Sequence, residues 1–318
     1  MDVVQGGSVA QVKLDAAETI ACGLASLAAY ADFDHQPVVL PPGYREVARF
    51  TGWDATPGGG VKERYGLVLE ATLSPGTYLV AFRGTASVAD AYEDLWATTA
   101  AFVPYDAPAP PDVWVASGFF GVYAGQGGDM AASMQAQVFA ALDRASPAVQ
   151  RVVVTGHSLG GSLASLFALD AALSRPAWQV TATTFASPRT GTGGFAALYN
   201  ERLEVATFRV ASFWDYVPTM PPEVWGYEHV GQPFLVAFYV EDAWWPYLTA
   251  RHSLLNYQHV VSRAVVQPDQ VWTGHFVDAA DARLRMVSTA PPTVDVPEWG
   301  ALQASVEVAQ AWRSLPGG

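Results

Sequence analysis

The sequence predicts an α/β domain with a mostly parallel central sheet, helices on both faces and an antiparallel hairpin at its N-terminal edge. The first ground is the alternation of β-rich and helical runs after about residue 118, with crossovers long enough for parallel pairing. The second is a pair of β-rich runs, 65–73 and 77–83, joined by Ser74-Pro75-Gly76, a hairpin signal. The third is composition: 318 residues with 51% hydrophobic and only 15% charged side chains can build a large core, which excludes a disordered chain. The length allows two domains, but single α/β domains often exceed 200 residues. The sheet pattern resumes beyond the Pro-rich stretch 103–112, so that stretch reads as a surface excursion and residues 1–318 as one domain.

In chain order, the alanine-rich stretch 16–32 reads as a helix with Ile20, Leu24, Leu27 and Ala28 on one face. The N-terminus has an acid at Asp2 and no basic region before that stretch, so it does not read as a secretory signal. After the hairpin come a helix around 118–145, a strand at 151–155, a helix at 159–173 and a strand at 180–185. A short helix near Phe195 and a strand at 205–213 complete the series. No internal repeat at solenoid or propeller period is present.

Seventeen basic against thirty acidic residues give a net charge of -13, which repels polyanions and leaves no basic stripe for nucleic acid. Anionic membrane surfaces are disfavoured for the same reason. No apolar run approaches the ~18 residues of a membrane span. Cys22 is the only cysteine, so neither an intramolecular disulfide nor a cysteine metal cluster is expected.

Gly156-His157-Ser158-Leu159-Gly160 has the form G-x-S-x-G. The pattern alone is weak, but here it stands between the apolar run Val152-Val153-Val154 and a helical run, where a strained strand-to-helix elbow lifts a serine hydroxyl out of the sheet. The glycines at 156, 160 and 161 fit a strand and helix that approach too closely for a Cβ. Ser158 also opens a helix, where free N–H groups stabilise negative charge. The bland alternative is a serine that merely caps that helix.

A nucleophilic serine needs a base oriented by an acid, and on this scaffold the partners follow it in the order acid, then histidine. Asp215 lies just past the 205–213 strand, where side chains at carboxyl ends of parallel strands converge on one crevice. Asp170 lies inside the elbow's own helix and Asp242 in an aromatic-rich loop, so both are weaker candidates. His229, His252, His259 and His275 are the available bases, because His157 is too close along the chain to reach its neighbour's hydroxyl. His252 stands near a helix start and His259 two turns further along it, and the residues alone leave both open.

Leu79-Val80-Ala81-Phe82-Arg83-Gly84-Thr85, Gly156-His157-Ser158-Leu159-Gly160-Gly161, Thr184-Phe185-Ala186-Ser187-Pro188-Arg189, Asp215-Tyr216-Val217-Pro218, and His252 with Tyr257 together resemble the class 3 (fungal-type) lipase family. The resemblance runs in order from about residue 16 to 262. It implies an α/β-hydrolase fold in which Ser158 is nucleophile, Asp215 acid and His252 base, which favours His252 over His259. It further implies an oxyanion hole from Thr85 and the backbone N–H of Leu159. Where many members carry asparagines before the acid this chain has Ser212 and Trp214, and the usual Gly-Asn after Ser-Pro-Arg is Gly191-Thr192.

The expected activity is hydrolysis of carboxylic esters through an acyl-enzyme, with no metal and no cofactor, acting on a neutral ester or acylglycerol with transient contact to a lipid interface. A soluble short-chain or aromatic-acid esterase and a non-catalytic lipase-like binding protein are the rivals. The binding protein would often lose a triad residue, and all three are present. The stretch 88–95 takes the place of the family's lid helix within a candidate lid around 86–112, and a fixed surface helix is an equal reading. Trp225, Tyr227, Phe234, Phe238, Tyr239, Trp244, Trp245 and Tyr247 are dense enough to wall an acyl pocket, or else to pack one end of the sheet.

Overall fold

The computed structural model describes residues 15–56, 59–85, 98–240, 248–264, 272–275 and 285–289. Helix α1 (Ala16–Phe33) starts at Asp15, whose carboxylate accepts the Glu18 N–H at 2.9 Å and so satisfies one orphan donor of the first turn. Its buried stripe is made of small residues, including Cys22, Gly23, Ala25, Ser26, Ala28 and Ala29. Ile20, Leu24 and Leu27 of the expected face are only partly buried. Close packing explains the shift: a Cβ on Gly23 would collide with the side chain of Gln258, whose amide donates to the Ile20 carbonyl at 3.1 Å.

Strands β1 (Tyr44–Thr56), β2 (Gly59–Ala71) and β3 (Thr77–Phe82) form an antiparallel edge. The β2–β3 register from Gly66↔Phe82 to Glu70↔Tyr78 is the hairpin read from the sequence, and Gly76 supplies its turn with φ 82°. Strand β1, which pairs antiparallel with β2, is not among the elements the sequence pattern indicates. Arg45, Glu46, Arg49, Lys62, Glu63 and Arg64 populate these strands and hide the apolar alternation, and Arg45–Glu70 and Arg49–Asp32 are among their ion pairs.

Beyond β4 (Thr99–Ala101) and β5 (Trp114–Ala116), the helix expected over 118–145 is two helices, α2 (Ser117–Ala124) and α3 (Met134–Asp143). Gly125, Gly127 and Gly128, the last at φ 57°, break the run, and Ser133 restarts it by accepting the Ala136 N–H at 3.3 Å. Then follow β6 (Arg151–His157), α4 (Leu159–Ser174), β7 (Gln179–Phe185), β8 (Gly191–Thr192), α5 (Gly193–Leu203) and β9 (Thr207–Ser212). A turn of 3₁₀ helix at Glu204–Ala206 delays β9 relative to the expected start at 205. The last described elements are β10 (Tyr227–Glu228), β11 (Gln232–Val240), α6 (Leu248–His252), α7 (Leu254–Ala264), β12 (Trp272–His275) and β13 (Arg285–Thr289).

The main sheet has the order β1-β2-β3-β6-β7-β9-β11-β13-β12, parallel from β3 to β11, and β10-β8-β5-β4 form a small antiparallel sheet beside it. Period-two alternation sorts the main sheet's side chains into two cores. Val68, Val80, Val152 and Val154 face α2, α3, α4 and α5, whereas Leu69, Leu79, Val153, Phe185 and Val236 face α1, α6 and α7. The helices therefore cover both faces, and α4, LGGSLASLFALDAALS, is buried on nearly every side between sheet and neighbours. Pairing of Phe82 with Gly156 and of His157 with Phe185 aligns the carboxyl ends of β3, β6 and β7 along one edge.

Candidate active site

Ser158 occupies the turn between β6 and α4 at φ 60°, ψ -130°, a left-handed conformation that costs a residue with a Cβ of order 1–3 kcal/mol. The glycines make the turn feasible: a Cβ on Gly156 would lie 2.0 Å from the Gly160 carbonyl oxygen, and one on Gly160 2.4 Å from that of Phe82. The Ser158 N–H donates to the Phe185 carbonyl at 3.0 Å, which ties the turn to the neighbouring strand end.

A hydrogen-bonded chain runs from that serine into the protein. Ser158 Oγ is 2.7 Å from His252 Nε2, and His252 Nδ1 is 2.8 Å from Asp215 Oδ2. A carboxylate can only accept here, so Nδ1 carries the proton and the Nε2 lone pair faces the serine hydroxyl. Asp215 is fully buried; its Oδ1 accepts the Val217 N–H at 3.0 Å, and its Oδ2 also accepts the Tyr257 hydroxyl at 2.8 Å. Tyr257 in turn accepts the Ser212 N–H at 2.7 Å and packs edge-on to Phe238, with ring centroids 5.2 Å apart. Burial, with Asp215 beside it, pushes the Tyr257 phenol well above its ordinary value, so it remains a donor. The Ser212 backbone thus supports the Asp215 carboxylate through Tyr257.

The end of β3 closes the other side. Arg83 is buried between the rings of Phe33 and Tyr65, with its guanidinium carbon 3.8 and 4.1 Å from their centroids. It donates to the carbonyls of Arg64 at 2.8 Å and Gly84 at 2.6 Å and pairs with Glu63. A Cβ on Gly84 would lie 2.8 Å from the Cβ of Ser158, so the strand end presses directly on the elbow with Thr85 next in the chain. Leu159 is the first residue of α4, directly after Ser158, so its N–H stands at the amino end of that helix.

The other candidates fall elsewhere. His229 donates from Nε2 to the Pro218 carbonyl at 2.7 Å. His259 lies in α7, which is separate from α6 because the helix breaks at Ser253, between His252 and Leu254. His275 is the last residue of β12, and Asp242 lies outside the described residues. Asp170 binds the segment that follows β4: its carboxylate accepts from the Tyr105 N–H, the Tyr123 hydroxyl, the Gln135 amide and the Ser174 hydroxyl. The stretch 88–95 lies outside the described residues, as do Trp244, Trp245 and Tyr247. Tyr227 and Phe238 are fixed in the two cores and Trp225 is exposed on a 3₁₀ turn, so those aromatic residues pack or cover the sheet end instead of forming one wall. Tyr257 entered the resemblance only by its spacing from His252, without a role, and nothing in the sequence singled out Tyr30.

A mostly parallel sheet covered by helices on both faces, with a serine on a left-handed turn at its carboxyl edge, defines an α/β-hydrolase fold. Lipase II from Rhizopus niveus has a similar structure, with a TM-score of 0.51 and 25% identity over 70% of this chain and 78% of that one. Residues 79–225 match the family described as Lipase (class 3), so the resemblance carried by the motifs is to that family. The match includes Ser158 and Asp215 and ends before His252. The chain is 31% identical over 208 residues to phospholipase A1-II 7 of Oryza sativa subsp. indica, a match covering 58% of this chain and 49% of that protein. It is 38% identical over 106 residues to the secreted mono- and diacylglycerol lipase 1 of Fusarium solani, covering 33% and 30% respectively. The chain thus spans about half or less of these relatives' lengths.

Proposed function

We propose that the chain is a serine hydrolase of carboxylic esters, of the lipase and carboxylesterase kind, working through an acyl-enzyme. The observation that carries the reading is the chain Ser158 Oγ–His252–Asp215, closed by hydrogen bonds of 2.7 and 2.8 Å on a strained elbow. His252 Nε2 takes the proton as Ser158 Oγ attacks the ester carbonyl, and Asp215 stabilises the imidazolium through Nδ1–H. The developing oxyanion is met by the backbone N–H groups of Thr85 and Leu159, an interaction worth ~3–4 kcal/mol per donor. The imidazolium then protonates the departing alcohol, and the same nitrogen activates the water that releases the acid.

The chain acts as one domain, a reading supported by a main sheet that draws strands from Tyr44 to Thr289. A lipid ester substrate is supported by the similarity to a phospholipase A1 and to a mono- and diacylglycerol lipase, and a net charge of -13 favours neutral acylglycerols over anionic phospholipids. The test is turnover of p-nitrophenyl butyrate alongside labelling by a fluorophosphonate. Activity should be lost in step with one phosphonyl group added at Ser158, and turnover that survives full labelling of Ser158 rejects the mechanism. A series of C2 to C16 esters below their aggregation limits then reads the acyl preference. A monotonic fall in kcat/KM from C2 onward marks a short-chain esterase instead of a lipase.

A further inference from the structure

Helix α1 lies outside the matched segment 79–225, yet it sends one polar side chain to the elbow. The Gly84 N–H donates to the Tyr30 hydroxyl at 3.0 Å, and that hydroxyl lies 2.9 Å from His157 Nδ1. A phenol has one proton. With its oxygen accepting from Gly84, that proton goes to Nδ1, so His157 accepts at Nδ1 and carries its own proton on Nε2. His157 Nε2 then donates to the backbone carbonyl of His252 at 2.8 Å. The hydrogen bonds all run in one direction, from the residue before Thr85, through Tyr30 and His157, to the backbone of the proposed base.

The chain's ends matter because they flank the reacting atoms. Gly84 precedes Thr85, His157 precedes Ser158, and His252 is the base itself, so one relay spans oxyanion donor, nucleophile and base. The rings of His157 and His252 are 4.7 Å apart, a distance at which a charge on His157 would oppose the imidazolium that forms on His252. Burial and the neighbouring His252 hold the His157 ring well below its ordinary value, and burial raises the Tyr30 phenol. Both therefore remain neutral, and the direction of the relay does not reverse across the working pH range. The junction has no slack: a Cβ on Gly84 would lie 2.5 Å from the Tyr30 hydroxyl and 2.7 Å from the His157 carbonyl.

We infer that Tyr30 and His157 are positioning residues for ester hydrolysis: their relay holds the Gly84–Thr85 strand end and the His252 backbone at a fixed separation about Ser158. The inference rests on the proposed hydrolase mechanism and adds that α1 is part of the site. It predicts a defect in kcat and not in KM, because the relay touches no substrate and its effect falls on alignment in the transition state.

The experiment compares Tyr30→Phe, His157→Leu, His157→Gln and the double variant Tyr30→Phe/His157→Leu, with active sites titrated by a fluorophosphonate so that kcat is expressed per competent serine. Ser158→Ala is the control. Tyr30→Phe and His157→Leu should each lower kcat about tenfold or more with KM unchanged, less than the ~10²–10³ for removal of an oxyanion donor. The double variant should be little worse than either single one, since both break the same relay. His157→Gln, whose amide can both accept from Tyr30 and donate to His252, should recover most of the loss. Full kcat per titrated site in Tyr30→Phe, or a Gln variant no better than Leu, overturns the relay even if folding yield or Tm falls. Retained turnover in Ser158→Ala overturns the hydrolase mechanism instead, so the two failures are distinguishable.

Discussion

Asp215 and Asp170 are both fully buried carboxylates that accept a phenol and a backbone N–H, but they stand in regions with different work. Asp170, toward the C-terminal end of α4, gathers Tyr105, Tyr123, Gln135 and Ser174, groups that do not ionise near neutral pH, and so holds the segment after β4 onto the helix. Burial raises its carboxyl above the ordinary value despite those donors. Asp215, at the carboxyl edge of the sheet, replaces one such donor with His252, whose other nitrogen touches Ser158. Burial and a full set of donors therefore do not distinguish the proposed catalytic carboxylate from a structural one. The mark is one donor that can take up a proton from a nucleophile.

The largest expected effects break the Asp215 side of this comparison. Ser158→Ala and His252→Ala should each lower kcat by about 10⁵–10⁶, because members of a triad act as a unit, while the fold persists in thermal melts. His259→Ala, on the neighbouring helix, should leave kcat within about twofold. A larger loss from His259→Ala than from His252→Ala in steady-state turnover would move the base. Next comes the direct exchange of the aspartates. Asp215→Asn should cost about 10⁴ in kcat by admitting the wrong imidazole tautomer, with little change in Tm. Asp170→Asn replaces an acceptor oxygen by an N–H₂ among groups that now donate to it, so the Tyr123 hydroxyl or the Gln135 amide must turn to accept, which should destabilise by about 1–3 kcal/mol and lower Tm by a few degrees. Its kcat per folded molecule should be unchanged, and a catalytic defect there would collapse the distinction. The smallest effects sharpen the comparison at the phenols. Tyr257→Phe should reduce kcat by about tenfold by loosening Asp215, whereas Tyr123→Phe should cost about 1 kcal/mol of stability and no rate. Equal kinetic outcomes for these two variants would show that the support around Asp215 is only structural.

The Asp170 side also explains what becomes of the Pro-rich excursion. It was legible as a surface segment, but the tie from the Tyr105 and Asp106 N–H groups to Asp170 and Ser174 was not, since those partners lie 65 and 68 residues apart. The same limit governs Asp215. Its position after a strand pointed to the crevice, while its partners His252 and Tyr257 stand 37 and 42 residues further on. Packing of α6 and α7 against the sheet, not spacing along the chain, brings those distances to 2.8 Å.

By itself the sequence determined the parts whose physics is local. The strand 151–155, the glycine-bounded elbow and the helix after it are encoded by a continuous apolar run buried on both faces, by residues without a Cβ at close contacts and by apolar length, so they were readable without partners. The same locality placed the hairpin at Gly76 and Asp215 just past β9. Tertiary structure decided everything whose partner is remote. It drew the charged β1 into the sheet edge and placed the run 232–240 between β9, parallel over 232–236, and β13, antiparallel over 237–240. It set His252 rather than His259 against Ser158 and brought Tyr30 from α1 to the elbow, 127 residues away in sequence from His157. A hydrogen bond reports only the meeting of two groups, and that meeting is created by packing of the two cores against one sheet.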